Sequence, residues 1–495
     1  MKTRMEKTLT MDNLPVLVLE KIFSYLSLPD KLNCLTISKS WMNLTASILD
    51  RQSILNITSS SSCSSSSSST SSSAFSSFSG FPSTSCCLDD YHQPNRTDIV
   101  SLRSHCDPSS IVNLTKWCSN LTVIRIDDYD CWSSNLNGKG GWLGILSSLI
   151  SNINHLKCLH LPHFSDSLAV EKCLQLIVDS HSQSLRHLSI NDNISEKTLN
   201  LISKRLINLQ FLGIYGQVVQ CQGYNDWPNQ LGTKFKGLHL DLGFDDISNF
   251  AILCPLLNQQ LTCERLTHLL LTTTTTNLFH QICSKLPNLE KLTIFLSDET
   301  FRLPETHVLN HLDSLTLSVC VQETSFGNDV SLINFLAPIK NLQNLSLTNF
   351  YVRRHFFENL INVTPKLKRL ALNDEFTQRR RPLMGDDLLK LTRLHSLTHL
   401  IMEVKEIDIR QNHVIGLLTA LKGSLEHLKL SQCKNLMLEE DFIRNVYDLT
   451  LPGPGSVAKS LDIIAGYIRD KSLESSQQTN IQYSSFGIRL LLNRK

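Results

Sequence analysis

Four histidines, His187, His268, His399 and His427, occupy the third place of a recurring Leu-x-x-Leu-x-(Leu/Ile/Met) hexad. Imidazoles on stacked strands about 4.8 Å apart are the raw material of a metal site. However, His187 and His268 stand several hexads apart, and only His399 and His427 fall in consecutive ones. Polar residues are ordinary at that open position, so no metal is expected. The fifteen cysteines are scattered, odd in number and contain no Cys-x-x-Cys pair, which reads as reduced thiols of an intracellular protein, with no bridge at Cys86-Cys87. Gly138, Gly140, Gly141 and Gly144 make a glycine-rich turn, but their spacing is wrong for a dinucleotide fingerprint. No Gly-x-Ser-x-Gly elbow, His-Glu-x-x-His helix or Walker loop is present. The sequence therefore predicts no catalytic residue and no cofactor.

The hexads that carry those histidines are the stronger signal. Strict copies start at Leu156, Leu185, Leu209, Leu266, Leu289, Leu312, Leu342, Leu367, Leu397 and Leu425, with weaker ones at Leu121 and Phe235. Chance would place about three strict copies in a chain of this leucine content. Successive starts lie 23 to 35 residues apart, the period of a unit holding one strand and one helix. Within a hexad the fourth and sixth residues alternate with polar ones, as a half-buried strand requires. Between hexads the spacing becomes helical, as at Leu278, Phe279, Ile282 and Leu286, and Pro287 and Pro365 stop helices just ahead of the next strand. The expected product is an α/β solenoid with a parallel sheet on its concave side and helices on its convex side.

The fifth hexad residue lies at the centre of that concave face. In order it reads His160, Ser189, Gly213, His239, Leu270, Thr293, Thr316, Ser346, Ala371, Ile401 and Lys429. Small and apolar groups dominate, with Leu270 and Ile401 expected in solvent, which suits a protein partner better than a polyanion. His160, Ser189, His239, Leu270, Thr293, Thr316, Ser346, Ile401 and Lys429 are the candidate partner-binding residues. Arg353-Arg354 and Arg379-Arg380-Arg381 read as solvated loops or helix ends.

Near the N-terminus, residues Leu14 to Leu44 form a different unit. From Val16 to Leu26 only Glu20, Lys21 and Ser24 are polar, and Pro15 sits where a helix tolerates a residue without an N–H. A module of about 40 residues has too little interior to bury apolar side chains on two faces, so another protein must cover the remainder. Through Leu14-Pro15, Val18-Leu19, Ile22-Phe23, Tyr25-Leu26, Leu28, Asp30, Leu32 and Lys39-Ser40-Trp41 the stretch resembles an F-box. That resemblance implies docking onto a Skp-family adaptor and, through it, a cullin. Leu14, Pro15, Leu19, Ile22, Phe23, Leu26, Leu32, Leu35 and Trp41 would be the adaptor-binding residues. Val16 and Leu17 stand where the family often has an acidic residue. The hexads, in turn, resemble the leucine-rich repeats of F-box proteins. Asn193, Cys320 and Cys433 fit the family's Cys or Asn three residues after the hexad, whereas Phe350 and several others do not.

With 495 residues, 41% hydrophobic composition and a formal charge of +2, the chain can build a large core and has no global bias toward nucleic acid. No stretch is apolar for the roughly 18 residues a membrane span needs, and Pro15, Glu20 and Lys21 break the run that imitates a signal peptide. Neither nucleic acid nor membrane is an expected partner, and the compartment is cytoplasmic or nuclear. The organisation expected is a tail at 1–10, an F-box at 11–57, a Ser-rich linker at 58–97, a solenoid of about twelve repeats at 98–450 and a C-terminal cap at 451–495. The serine tract, Ser59 to Ser85, cannot bury enough apolar surface to order and would tether the N-terminal module loosely. In the cap, Ser456 would start a helix bearing Val457, Leu461, Ile464 and Ile468, followed by a strand through Phe486, Ile488, Leu490 and Leu492. The fold class is α+β overall, a small all-α F-box ahead of an α/β leucine-rich-repeat solenoid. The function implied is substrate recognition for an SCF-type ubiquitin ligase by a chain that is itself no enzyme, holding an unknown protein for modification. The alternative is a non-catalytic leucine-rich-repeat scaffold with no ligase role.

Overall fold

The computed structural model describes residues 121–127, 142–161, 167–216, 227–241, 253–296, 306–319, 329–350, 355–374, 383–404 and 407–438 with some shorter pieces. It also describes the backbone of strands at 54–58, 99–103, 460–468, 480–484 and 487–493. The chain divides into two compact units, residues 1–220 with 230–235 and residues 221–229 with 236–495.

In the first unit the strands are β1 (Ile54–Thr58), β2 (Ile99–Arg103), β3 (Val123–Asp127), β4 (Cys158–Leu161), β5 (His187–Ile190), β6 (Ile194–Ser195), β7 (Phe211–Ile214) and β8 (Val218–Val219). The main sheet is parallel in the order β2, β1, β3, β4, β5, β7, while β6 and β8 pair in a short second ladder. Parallel neighbours need long crossovers, and the segments between hexads supply helices for them. Helix Trp142–Asn152 buries Leu146, Leu149, Ile150 and, just past its end, Ile153; helix Ser167–His181 buries Val170, Cys173, Leu174 and Ile177. The spacing is that of one helical face. Against it lie the first, fourth and sixth hexad residues. Leu156, Leu159 and Leu161, and their counterparts in the hexads at Leu185 and Leu209, are at most 1% exposed. Burying each such side chain contributes about 1.5–3 kcal/mol before entropy is counted.

The strand β1 changes the expected organisation. Residues 54–57, assigned from sequence to the end of the F-box, lie in the sheet between β2 and β3. Leu55 and Ile57 pair with Ile124 and Ile126, the fourth and sixth residues of the hexad at Leu121, so β1 is itself the strand of a repeat. The serine tract therefore does not separate the N-terminal module from the sheet. It belongs to the connection from β1 out to its other neighbour, β2.

The second unit contains β9 (Gly237–Leu240), β10 (His268–Thr274), β11 (Lys291–Leu296), β12 (Ser314–Val319), β13 (Asn344–Thr348), β14 (Arg369–Asp374), the short β15 (Leu383–Met384), β16 (His399–Val404), the short β17 (Ile407–Asp408) and β18 (His427–Leu438). All run parallel, the long strands pairing in order from β9 to β18 with like hexad positions opposite one another, and the short β15 pairing with β17 and β17 with β18. Helix Thr276–Lys285 illustrates the crossovers. The Thr275 hydroxyl accepts a hydrogen bond from the Leu278 N–H at 3.3 Å to start it, Leu278, Phe279, Ile282 and Cys283 are buried, and it ends ahead of Pro287 as the sequence predicts. Among the described residues no helix is long and apolar enough to cross a membrane.

The C-terminal segment departs in part from the expected cap. The helix expected from Ser456 is instead β19 (Ser460–Ile468), parallel to β18, with Leu461 opposite Leu428 and Ile463 opposite Leu430. Both periods are present in this segment, and the open edge of β18 favours the one that continues its ladder. The strand expected beyond it is β21 (Gly487–Asn493), antiparallel to β19, with β20 (Asn480–Ser484) antiparallel on its far side.

The internal polar position also differs from expectation. Cys433 is fully buried, but Asn193 is exposed, and Cys320 lies outside the described residues. In the repeat where Phe350 stands at that position, Asn349 acts one residue earlier. It is buried, adopts φ 61°, donates Nδ2–H to the Val319 carbonyl at 2.9 Å and its N–H to the Asn373 carbonyl at 2.6 Å. Asn tolerates this left-handed backbone better than most residues.

Burial also sets the chemistry of the thiols. Burial pushes Cys173 and Cys433 up to about 12, and Cys283 upward as well, so all three stay protonated and weakly nucleophilic at neutral pH. Cys254 is only half-buried.

Two outcomes are expected. Asn349→Ala should destabilise the fold by about 2 kcal/mol and Asn349→Gly, which keeps the backbone conformation, by about 1 kcal/mol, read from urea-unfolding midpoints. Alkylation of the native chain at mildly alkaline pH, mapped by mass spectrometry, should label Cys254 and spare Cys173, Cys283 and Cys433, all of which should label after denaturation.

Candidate functional site

Period-two alternation sends the third, fifth and seventh residues of each repeat to the sheet face opposite the leucines. In the first unit the fifth-position column runs Arg125, His160, Ser189, Gly213 in strict register, and the backbone pairing continues from Arg125 to Asn56 and Ser101. His160 is more enclosed than expected, only 7% exposed, because Tyr215 lies edge-on to it with ring centroids 5.8 Å apart. A side chain at Gly213 would place Cβ 2.9 Å from Ser189 Oγ and 3.0 Å from Tyr215 Cε2, so glycine is what admits both neighbours. Beside this column, His187 stacks on Phe211 at 4.6 Å. Tyr215 and Phe211 were not singled out in the sequence. Phe211 stands at the third hexad position, and Tyr215 is one residue past the end of its hexad, where the alternation simply continues.

In the second unit the column runs His239, Leu270, Thr293, Thr316, Ser346, Ala371, Ile401, Lys429, each paired with the next. Leu270 and Ile401, expected in solvent, are half-buried, and His239 is buried. The column extends to Asp462 on β19, opposite Lys429. On one flank stand the third-position residues, including Lys291, Ser314, Asn344 and the exposed Arg369; on the other stand Phe295, Ser318, Thr348, Asn373 and Glu403. Glu403 and Lys429 form an ion pair across β16 and β18, each about one-third exposed, a geometry that contributes little to stability. The centre of the face is thus a seam of Thr293, Thr316, Ser346 and Ala371. Its short side chains leave the backbone of the sheet close to any partner and offer hydroxyl donors and acceptors.

The histidines form no metal cluster among the described residues. Thr267 and Thr398 hydroxyls engage Nδ1 of His268 and His399 at 2.7 and 2.9 Å, and the His399 and His427 rings lie 5.8 Å apart. Arg353-Arg354, Arg379-Arg380-Arg381 and the glycine turn at Gly138, Gly140 and Gly141 lie outside the described residues, as do Leu14, Pro15, Leu19, Ile22, Phe23, Leu26, Leu32, Leu35 and Trp41. Of residues 1–53 only Lys21 is described, helical and exposed.

Comparison with known proteins adds the N-terminal module. Residues 11–54 match the F-box-like family, ending where β1 begins. No curated protein sequence matches the chain. Among solved structures, a chain of the yeast Rad7 and Elc1 complex is similar at 16% identity and a TM-score of 0.40, over 72% of this chain and 78% of that one. A chain of the TLR13–ssRNA13 complex is similar at 18% identity and a TM-score of 0.31, over 70% of this chain and 48% of that one. The present chain spans about half the length of the TLR13 chain. An F-box-like domain at 11–54 thus precedes an α/β repeat array built on parallel sheet.

Proposed function

We propose that this chain is the substrate receptor of an SCF-type ubiquitin ligase. The F-box-like segment docks a Skp-family adaptor, and with it a cullin, while the open sheet face holds the protein to be ubiquitinated. The observation that carries this reading is the F-box-like match at 11–54 placed directly ahead of a repeat array. Such a chain performs no bond chemistry. It raises the effective concentration of a substrate lysine near the transferring enzyme and limits its orientation. The half-buried seam of Thr293, Thr316 and Ser346, flanked by Lys291, Arg369 and Glu403, supports a protein partner, because an interface of mixed apolar and hydrogen-bonding character has this composition.

A second reading is a non-catalytic scaffold in which the N-terminal module only covers the first strands. The continuity of that module with β1, which lies inside the sheet, favours it specifically. Capture by purified Skp-family adaptor separates the two. The intact chain should be retained, whereas a chain lacking residues 1–53, which keeps β1, and a Pro15→Ala/Ile22→Ala variant should fall to background. Background capture of all three contradicts the ligase reading and leaves the scaffold.

A further inference from the structure

Where the strands of the first unit begin, a solvent-open hollow of about 570 Å³ is lined by Thr122, His155, Lys157, Gln183, Ser184, Arg186, Asn208, Gln210 and Lys234. No carboxylate lines it. Three cationic side chains do, and the ion pairs among the described residues involve none of them. Lys157 and Arg186 are the second residues of adjacent hexads. The Arg186 N–H donates to the Lys157 carbonyl at 2.8 Å, which holds these two like charges on neighbouring strands, an arrangement that opposes folding. Lys234 is held in place by a neutral group: its Nζ donates to Asn208 Oδ1 at 2.8 Å, and Asn208 Nδ2 donates to the Gln183 carbonyl at 2.8 Å.

The lysine–asparagine contact is not particular to this site, since Lys366 donates to Asn341 in the same way in the second unit. The charge balance is what differs. In the second unit the charged second hexad residues are Glu290, Asp313 and Glu426 together with Lys236 and Lys368, so acids and bases are mixed there. The uncompensated cations are thus a local feature of the first unit's edge.

We propose that this hollow binds a phosphate-bearing anion. A phosphate monoester carries up to two charges and three acceptor oxygens, which a guanidinium and two ammonium groups can share. The neutral hydrogen-bonding side chains of Gln183 and Gln210 and the hydroxyl of Thr122 line the same space. Its volume falls in the range of small-molecule sites and exceeds a single phosphate, so part of the body that carries the phosphate is seated as well. The exposed lysines make binding sensitive to salt. The proposal does not depend on the ligase reading.

Titration calorimetry of the full chain with inorganic pyrophosphate at low ionic strength tests it. One saturable site is expected, weakened by about tenfold or more in Lys157→Gln/Arg186→Gln and unchanged in Lys368→Gln. The separate variant His155→Gln/Lys234→Gln should weaken binding in the same direction, so a folding defect in one pair does not hide the answer. Competition by a phosphoserine peptide, but not by its unphosphorylated form, would support a protein-borne phosphate. No competition by either would support a free phosphorylated molecule, and both outcomes uphold the site. Absence of saturable binding, or equal affinity in all variants, overturns it.

Discussion

Register between stacked hexads is the constraint on which the rest of this structure depends. Because side chains alternate with period two, a slip of one residue between strands would turn Leu188 and Ile190 outward and Ser189 into the core. The leucines prevent this, since exposing even two of them costs several kcal/mol. By holding Leu159 opposite Leu188 and Leu292 opposite Leu315, the core simultaneously sets His160 beside Ser189 and Thr293 beside Thr316. The columns of the open face are therefore consequences of the packing behind them. A substitution in a leucine column disturbs the face without touching it.

The same stacking accounts for the added strands within each unit. At the C-terminal side β19 extends β18, and the antiparallel strand β21 extends β19. In the first unit β1 enters the sheet between β2 and β3 directly after the F-box-like segment, so the module and the repeats share a continuous backbone. In the proposed receptor that continuity matters, because a short connection confines a bound substrate to fewer positions relative to the adaptor than a long flexible one would.

What the sequence made legible follows from how completely each repeat displays its pattern. Hexads with leucine at the first place, such as those at Leu289 and Leu342, announced their strands, and the seam of Thr293, Thr316 and Ser346 followed from them. Strands β1 and β2 escaped notice because Gln52 and Thr97 stand where the first leucine would be, leaving only Leu55, Ile57, Val100 and Leu102 to carry the alternation. The segment after Ser456 carries a helical and a strand period at once, and only the partner edge of β18 decides between them. Asn349 was missed because a buried amide can satisfy the same carbonyl from one residue earlier when its backbone is left-handed, and sequence spacing does not report φ. The enclosure of His160 was equally invisible, since Tyr215 belongs to a repeat two strands away.

The central claim is that one end of this chain meets an adaptor while the open sheet face stays free for another protein. Hydrogen–deuterium exchange of the full chain, with and without purified Skp-family adaptor, tests it most directly. The account predicts new amide protection confined to residues 11–53, with exchange in β11 to β16 unchanged. Protection spreading over the Thr293 to Ile401 column, or none within 11–53, would contradict it.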